Sequence, residues 1–283
     1  MQKVAVITDS TCDLPDSILE EYKIQFLPLR INFKNEEYLD RINLTAQEFY
    51  EKLKYEIPTT SLPSPQDALD MLVKLREDNF THVIAIHLSS GLSGTYAMMH
   101  DIAKNFKDLC IEVIDTKSLS MGLGFPVLEA AKSLQKYDFQ TTVERVKAKI
   151  QDLSCYYVIP SLEYLRKGGR IGKVAGTIGD LLQIKPIISI DKEGKYFTYD
   201  KVRGRKQSLN RLFEIAKEQT HQKFSEIAIL QGVAEEEASE LLEKIKTLPF
   251  VKNTFYSEIC PVLGVHTGPG LVGMIINHIE DGI

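Results

Sequence analysis

The chain of 283 residues has no tryptophan, only four cysteines and no excess of positive charge. Cys12, Cys110, Cys155 and Cys260 lie far apart with no CxxC pair. That spacing argues against a zinc site or a redox dithiol and leaves buried free thiols as the plain expectation. No apolar run approaches the roughly 18 residues of a membrane span, and the opening MQKVAVITDS reads as a strand rather than a basic stretch before an apolar one. A cytoplasmic protein without stable membrane insertion is expected. A formal charge of -5 argues against a dedicated nucleic-acid binder, whose affinity rests on neutralising phosphates. Nucleotide loops are missing too. There is no G-x-x-x-x-G-K-[ST], and no G-x-G-x-x-G follows the first strand, where Asp9-Ser10-Thr11-Cys12-Asp13 stands instead. Without a histidine or third acid beside them, Asp9 and Asp13 are expected to hydrogen-bond locally, and no metal or cofactor is expected.

What is there is an ordinary globular composition, 43% hydrophobic and 26% charged, in a chain longer than one core usually fills. Two domains are expected, over residues 1–158 and 159–283. In the first, Val4 to Thr8, Val83 to Leu88, Ile111 to Ile114 and Tyr156 to Ile159 are apolar, β-branched runs, mostly followed by a polar loop and a helical pattern. This is the rhythm of a Rossmann-like α/β domain with a parallel sheet. Helix starts are marked by Thr45 with Glu48, by Thr141 with Glu144, and by Ser64 followed by Pro65 and Asp67. In the second domain, Pro186 to Asp191 and Tyr196 to Val202 flank a KEGK turn and predict a hairpin. Further strands at Glu226 to Gln231 and Thr254 to Cys260 alternate with helical patterns and complete an α+β half.

Three loops rich in hydroxyls and glycine carry the chemistry. Gly91-Leu92-Ser93-Gly94-Thr95 is close to the nucleophile elbow G-x-S-x-G, with Thr in the last place. With His266 downstream it permits a serine acyl-ester hydrolase. The same loop, opening a helix after a parallel strand, equally suits a carboxylate or phosphate held by Ser93 and the Gly94 backbone N–H. A third reading has Ser93 only capping its helix. Thr59-Thr60-Ser61-Leu62-Pro63-Ser64-Pro65 and His266-Thr267-Gly268-Pro269-Gly270 look like two more helix openings, the latter with Pro269 at the first helical position. Two basic clusters, LRKGGRIGK and KVRGRK, are either solvated faces or a surface for an anionic group or an acidic partner.

As a set, ITDSTCDLP, TSLPSPQD, SSGLSGTY, DTKSLSMGLG, PSLEYLRKGGRIG, KVRGRKQSL and HTGPGLVG resemble, in order and across essentially the whole chain, the DegV family of fatty-acid-binding proteins. The resemblance implies a two-domain α/β carrier without catalysis of its own. Members of the FakB type present a bound fatty acid to a fatty-acid kinase, and the acyl phosphate formed feeds phospholipid synthesis. It places the carboxylate site on Ser61, Ser93, Gly94 and His266, with Thr60 an alternative to Ser61. It also implies a kinase-docking surface that includes Arg170, Arg203 and Arg205. Chain length, unsaturation and oligomeric state are not encoded in any motif.

Overall fold

The structure, a computed structural model, describes residues 2–177 and 184–280. Contacts divide the chain into a first unit, residues 1–151 with 260–262, and a second, residues 152–259 with 263–283. In chain order the first unit contains β1 (Val4–Asp9), α1 (Asp16–Glu21), β2 (Gln25–Leu27), β3 (Arg30–Asn32), β4 (Glu37–Leu39), α2 (Ala46–Leu53) and β5 (Thr59–Ser61). It continues with α3 (Pro65–Glu77), β6 (His82–His87), α4 (Thr95–Asn105), β7 (Cys110–Asp115), α5 (Met121–Ser133) and α6 (Phe139–Gln151).

The expected parallel sheet is present, in the order β2-β1-β6-β7. The central strands β1 and β6 are covered on both faces, which is why they read as nearly continuous apolar runs. Ala5, Ile7, Val83 and Ala85 turn one face to Leu72 and Leu75 of α3 and Met99 of α4. Leu72 alone, wholly buried, contributes about 2 kcal/mol. The β1 and β6 strands also pack against α5, and α5 is buried along nearly its whole length. A small antiparallel sheet, β4-β3-β5, was not anticipated; its strands are three residues long, too short for a period to show.

The helix starts follow local hydrogen bonding. Thr45 and Glu48 form the expected capping box on α2, and Ser64 accepts the Gln66 N–H with Pro65 opening α3. The box expected at Thr141 does not form. Asp138, three residues earlier, accepts the Thr141 N–H at 2.8 Å and moves the helix start to Phe139. Residues 260–262 are tied to the first unit by two buried carboxyls. Asp13 accepts the Cys260 N–H at 3.0 Å and Asp40 the Val262 N–H at 3.1 Å. Burial pushes Asp13 up to about 6 and Asp40 up to about 7, against hydrogen bonds that favour their ionised forms.

The second unit contains β8 (Leu153–Val158), α7 (Glu163–Lys167), β9 (Ile184–Ile190), β10 (Tyr196–Arg203), α8 (Arg205–Gln219), β11 (Ser225–Gly232), α9 (Glu235–Lys246), β12 (Val251–Glu258), most of α10 (Pro261–Thr267) and β13 (Leu271–His278). Its mixed sheet has the order β10-β9-β8-β13-β11-β12. The hairpin β9-β10 is as expected. The run at Tyr156 is corrected: it pairs antiparallel with β13 and so belongs to the second sheet, not to the parallel one. An antiparallel strand buried on both faces is as apolar as a parallel one, so the sequence could not separate them, and the division falls at 151/152 rather than 158. Among the described residues no helix is long and apolar enough to cross a membrane.

Gly124 allows α5 to approach the turn at Ser10–Cys12, since a Cβ there would lie 2.6 Å from the Cys12 carbonyl oxygen. Gly124→Ala is expected to destabilise the protein by about 1–3 kcal/mol in denaturant unfolding, although alanine is the better helix former. Unchanged stability would show that α5 can move aside freely.

Candidate functional site

The loop Leu88–Gly94 joins β6 to α4 and is held by carboxylates at the ends of the two neighbouring strands. Asp9, fully buried at the end of β1, accepts the Leu88 N–H at 2.9 Å, the His87 Nδ1 hydrogen at 3.1 Å, and both the N–H and hydroxyl of Thr11. Four donors compensate the removal of this carboxylate from water. The two bonds from Thr11 are the local ones expected of Asp9, whereas Asp13 accepts from groups distant in sequence, the Ser120 hydroxyl and the Cys260 N–H. Asp115, at the end of β7, accepts the Ser90 N–H at 3.2 Å and the Lys117 N–H at 2.9 Å. Burial opposes ionisation of Asp115, but the hydrogen bonds from Lys117 and Ser90 outweigh it and hold the carboxyl below its ordinary range. Within the loop, Ser89 Oγ accepts the Gly91 N–H, and the Ser89 carbonyl accepts the N–H groups of Leu92 and Ser93. Sequence reasoning missed Asp115 and Ser89 as supports. The signal was present as Asp followed by Ser or Thr at the ends of two parallel strands.

This loop presents two donors at the start of α4. Ser93 Oγ lies 2.9 Å from Thr95 Oγ1 and accepts the Thr95 N–H at 3.3 Å. Gly94 occupies the N-cap with no side chain to satisfy the first turn, and its own N–H has no acceptor among the described residues. The hydroxyl of Ser61, exposed at the end of β5, accepts a 3.4 Å hydrogen bond from Asn32. The next residue, Leu62, reaches Gly94: its Cδ2 is 3.5 Å from where a Gly94 Cβ would be. Two of the three loops therefore meet within the first unit. Thr60 is less exposed and lies on the opposite side of β5 from Ser61.

The elbow geometry of a hydrolase is not supported. An elbow holds its serine on the turn directly after the strand. Here Leu88 to Leu92 separate Ser93 from the end of β6. Among the described residues no histidine hydrogen-bonds to Ser93; His87 is engaged with Asp9.

His266 lies in the second unit, in the last turn of α10. The expected helix opening at HTGPG is overturned, because the segment ends a helix and enters the strand β13. Gly268 and Gly270 adopt φ of +68° and +89°, the Gly268 N–H closes the helix on the Gly264 carbonyl, and the following LVGMIIN run is a strand composition. Pro269 is thus not a first helical residue. Burial, reinforced by the positive charge of Arg170, pushes His266 down to about 4, so the ring is neutral near pH 7. Arg170 in turn donates to the Gly168 carbonyl at 2.7 Å. Arg205 forks onto Glu237, with Nε 3.0 Å from Oε1, whereas Arg203 is exposed without an ion-pair partner among the described residues.

Asp115→Ala removes the acceptor of two backbone N–H groups, each hydrogen bond to a charged group contributing about 1.5–3 kcal/mol. Amide exchange at Ser90 and Lys117 is expected to quicken about tenfold or more, with the core strands unaffected. Unchanged exchange would remove Asp115 as a support of this loop.

The sequence model of the family described as "Uncharacterised protein, DegV family" matches residues 3–278. A DegV domain-containing protein of Clostridium acetobutylicum is 44% identical over 98% of this chain and 99% of its own length. Among solved structures, a DegV family protein of Thermus thermophilus, described by its fatty acid binding, superposes with a TM-score of 0.92 at 27% identity, covering 98% of this chain and all of its own. DegV of Bacillus subtilis, described as a fatty acid binding protein, gives 0.91 at 28% identity over 99% of this chain and all of its own. The chain belongs to the DegV family.

Proposed function

We propose that this chain is a fatty-acid carrier: it binds one long-chain fatty acid and presents the carboxylate to a fatty-acid kinase for acyl-phosphate formation. The reading is supported by family membership and by the described fatty-acid binding of the relatives from Thermus thermophilus and Bacillus subtilis. The observation that carries the head site is the Gly94 N–H, without an acceptor among the described residues at the start of α4 and flanked by the hydroxyls of Ser93 and, through Leu62, Ser61. Donors proposed for the carboxylate are Ser61, Ser93, Gly94 and His266. A neutral imidazole can donate one N–H to a carboxylate without a second charge having to be desolvated.

Affinity and orientation then come from different parts of the ligand. Each buried methylene contributes about 0.8 kcal/mol, so a dozen give roughly 10 kcal/mol before the costs of association. The head group's hydrogen bonds contribute less and fix which atom faces outward. None of these donors needs to be a nucleophile, and the modifying chemistry belongs to the partner. For docking, Arg203 is the exposed member of the three arginines, while Arg205 is engaged by Glu237 and Arg170 by the Gly168 carbonyl. The cytoplasm, where acyl phosphate would be consumed in phospholipid synthesis, is the proposed location.

Protein purified from cells is expected to carry the added mass of one fatty acid in native mass spectrometry. After lipid removal, Ser93→Ala should bind long-chain fatty acid about 10- to 100-fold more weakly. Arg203→Glu should keep the affinity but slow acyl-phosphate formation by the kinase. Failure of the stripped wild-type protein to bind any fatty acid at micromolar concentration would sink the proposal, and rapid labelling of Ser93 by a fluorophosphonate would favour the hydrolase.

A further inference from the structure

The two glycines of LRKGGR do different things. Gly169 has φ +71° with nothing within 4 Å of an added Cβ, so its backbone conformation is what calls for glycine. Its N–H and that of Arg170 bond back to the carbonyls of Arg166 and Leu165, which closes α7 in the usual left-handed manner. Gly168 is the reverse case. Its φ of −75° and ψ of −6° suit any L-residue, yet a Cβ there would lie 2.7 Å from Cε1 of His266 and closer still to Nδ1. The imidazole occupies the space that any side chain at 168 would need.

The same helix grips the end of α10 a second time. A Cβ on Gly268 would lie 2.9 Å from Cγ of Tyr164, so that ring packs directly on the backbone two residues beyond His266. The Gly168 peptide is itself fixed, its N–H bonding to the Tyr164 carbonyl at 2.9 Å and its carbonyl accepting from Arg170 at 2.7 Å. A rigid backbone surface therefore faces one edge of the ring.

We propose that Gly168 is a positioning residue for His266: the absent Cβ lets the imidazole seat against the end of α7 and fixes its direction for the ligand carboxylate. The ligand part of this inference rests on the carrier reading. Any residue larger than glycine at 168 expels the ring while leaving the helix end intact. The conflict is specific to the imidazole, so it vanishes once His266 is truncated. Alanine at a compatible φ and ψ leaves the unfolded chain less freedom than glycine does, so the sign of the Gly168→Ala effect on stability should reverse in that background.

The test uses the full chain, stripped of lipid, as wild type, Gly168→Ala, His266→Ala and the double variant, with stearate as the probe. Gly168→Ala and His266→Ala should each bind stearate about tenfold or more weakly, and the double variant no more weakly than His266→Ala. Without ligand, the His266 ring, identified by its absence in His266→Ala, should titrate near 4 in the wild type and move toward 6.5 in Gly168→Ala as it leaves its buried place beside Arg170. Gly168→Ala should lower the melting temperature alone and leave it equal or higher on top of His266→Ala. Wild-type affinity and an unmoved titration in Gly168→Ala, or losses that multiply in the double variant, would overturn the proposal. So would a double variant that fails to fold. If His266→Ala binds stearate as tightly as the wild type, His266 is not a head-group donor and that part of the carrier reading fails, while the ligand-free titration still decides the role of Gly168.

Discussion

Everything proposed for the site depends on keeping a carboxylate satisfied away from bulk water, and the protein already solves that problem once for itself. Asp9 is completely buried and accepts four hydrogen bonds, one of them from the first residue of the loop that opens α4. Asp115 anchors the next part of the loop from the adjacent strand. Acidic side chains thus consume the N–H groups of Leu88 and Ser90, while Ser89 consumes those of Gly91, Leu92 and Ser93. Within this loop, among the described residues, the N–H of Gly94 is left over. An anion arriving there finds a donor whose position is already fixed, which reduces the entropy lost on binding.

The arrangement also explains why reactive-looking groups are placed where they are without needing to react. Ser93 shares its hydroxyl with Thr95 rather than with a base, and His87, the nearest histidine in the chain, is bound to Asp9. His266 is held neutral by burial and by Arg170. A hydrolase would call for a base poised near neutral pH and touching the serine. A holder of carboxylates calls only for donors, and a neutral imidazole is one.

The parallel sheet and the second-half hairpin were legible because long strands carry their own signature: Val4 to Ile7 and Val83 to Ile86 have no polar interruption, and KEGK sits between two runs of strand composition. The placement of Tyr156 to Ile159 was not legible, since burial on both faces leaves no period to say which sheet a strand joins. The HTGPG loop misled for a related reason. A proline opens α3 after Ser64, but here two left-handed glycines end a helix, and β-branched residues downstream tip the outcome to a strand. Ser93 and Gly94 could be named from a hydroxyl and a glycine at a helix start, and Ser61, with Thr60 as its alternative, only through the family resemblance; Asp115 and Gly168 act through contacts distant in sequence, and only coordinates show them.

Affinity from the tail, direction from the head and chemistry from a partner are the three separable parts of this account, and direction is the part this chain's polar residues decide. The most direct measurement is a crystal structure of the protein loaded with a long-chain fatty acid. The account predicts a carboxylate within hydrogen-bond distance of the Gly94 N–H and the Ser93 hydroxyl, with His266 donating from its ring. A fatty acid bound with its carboxylate elsewhere, leaving the start of α4 untouched, would contradict it.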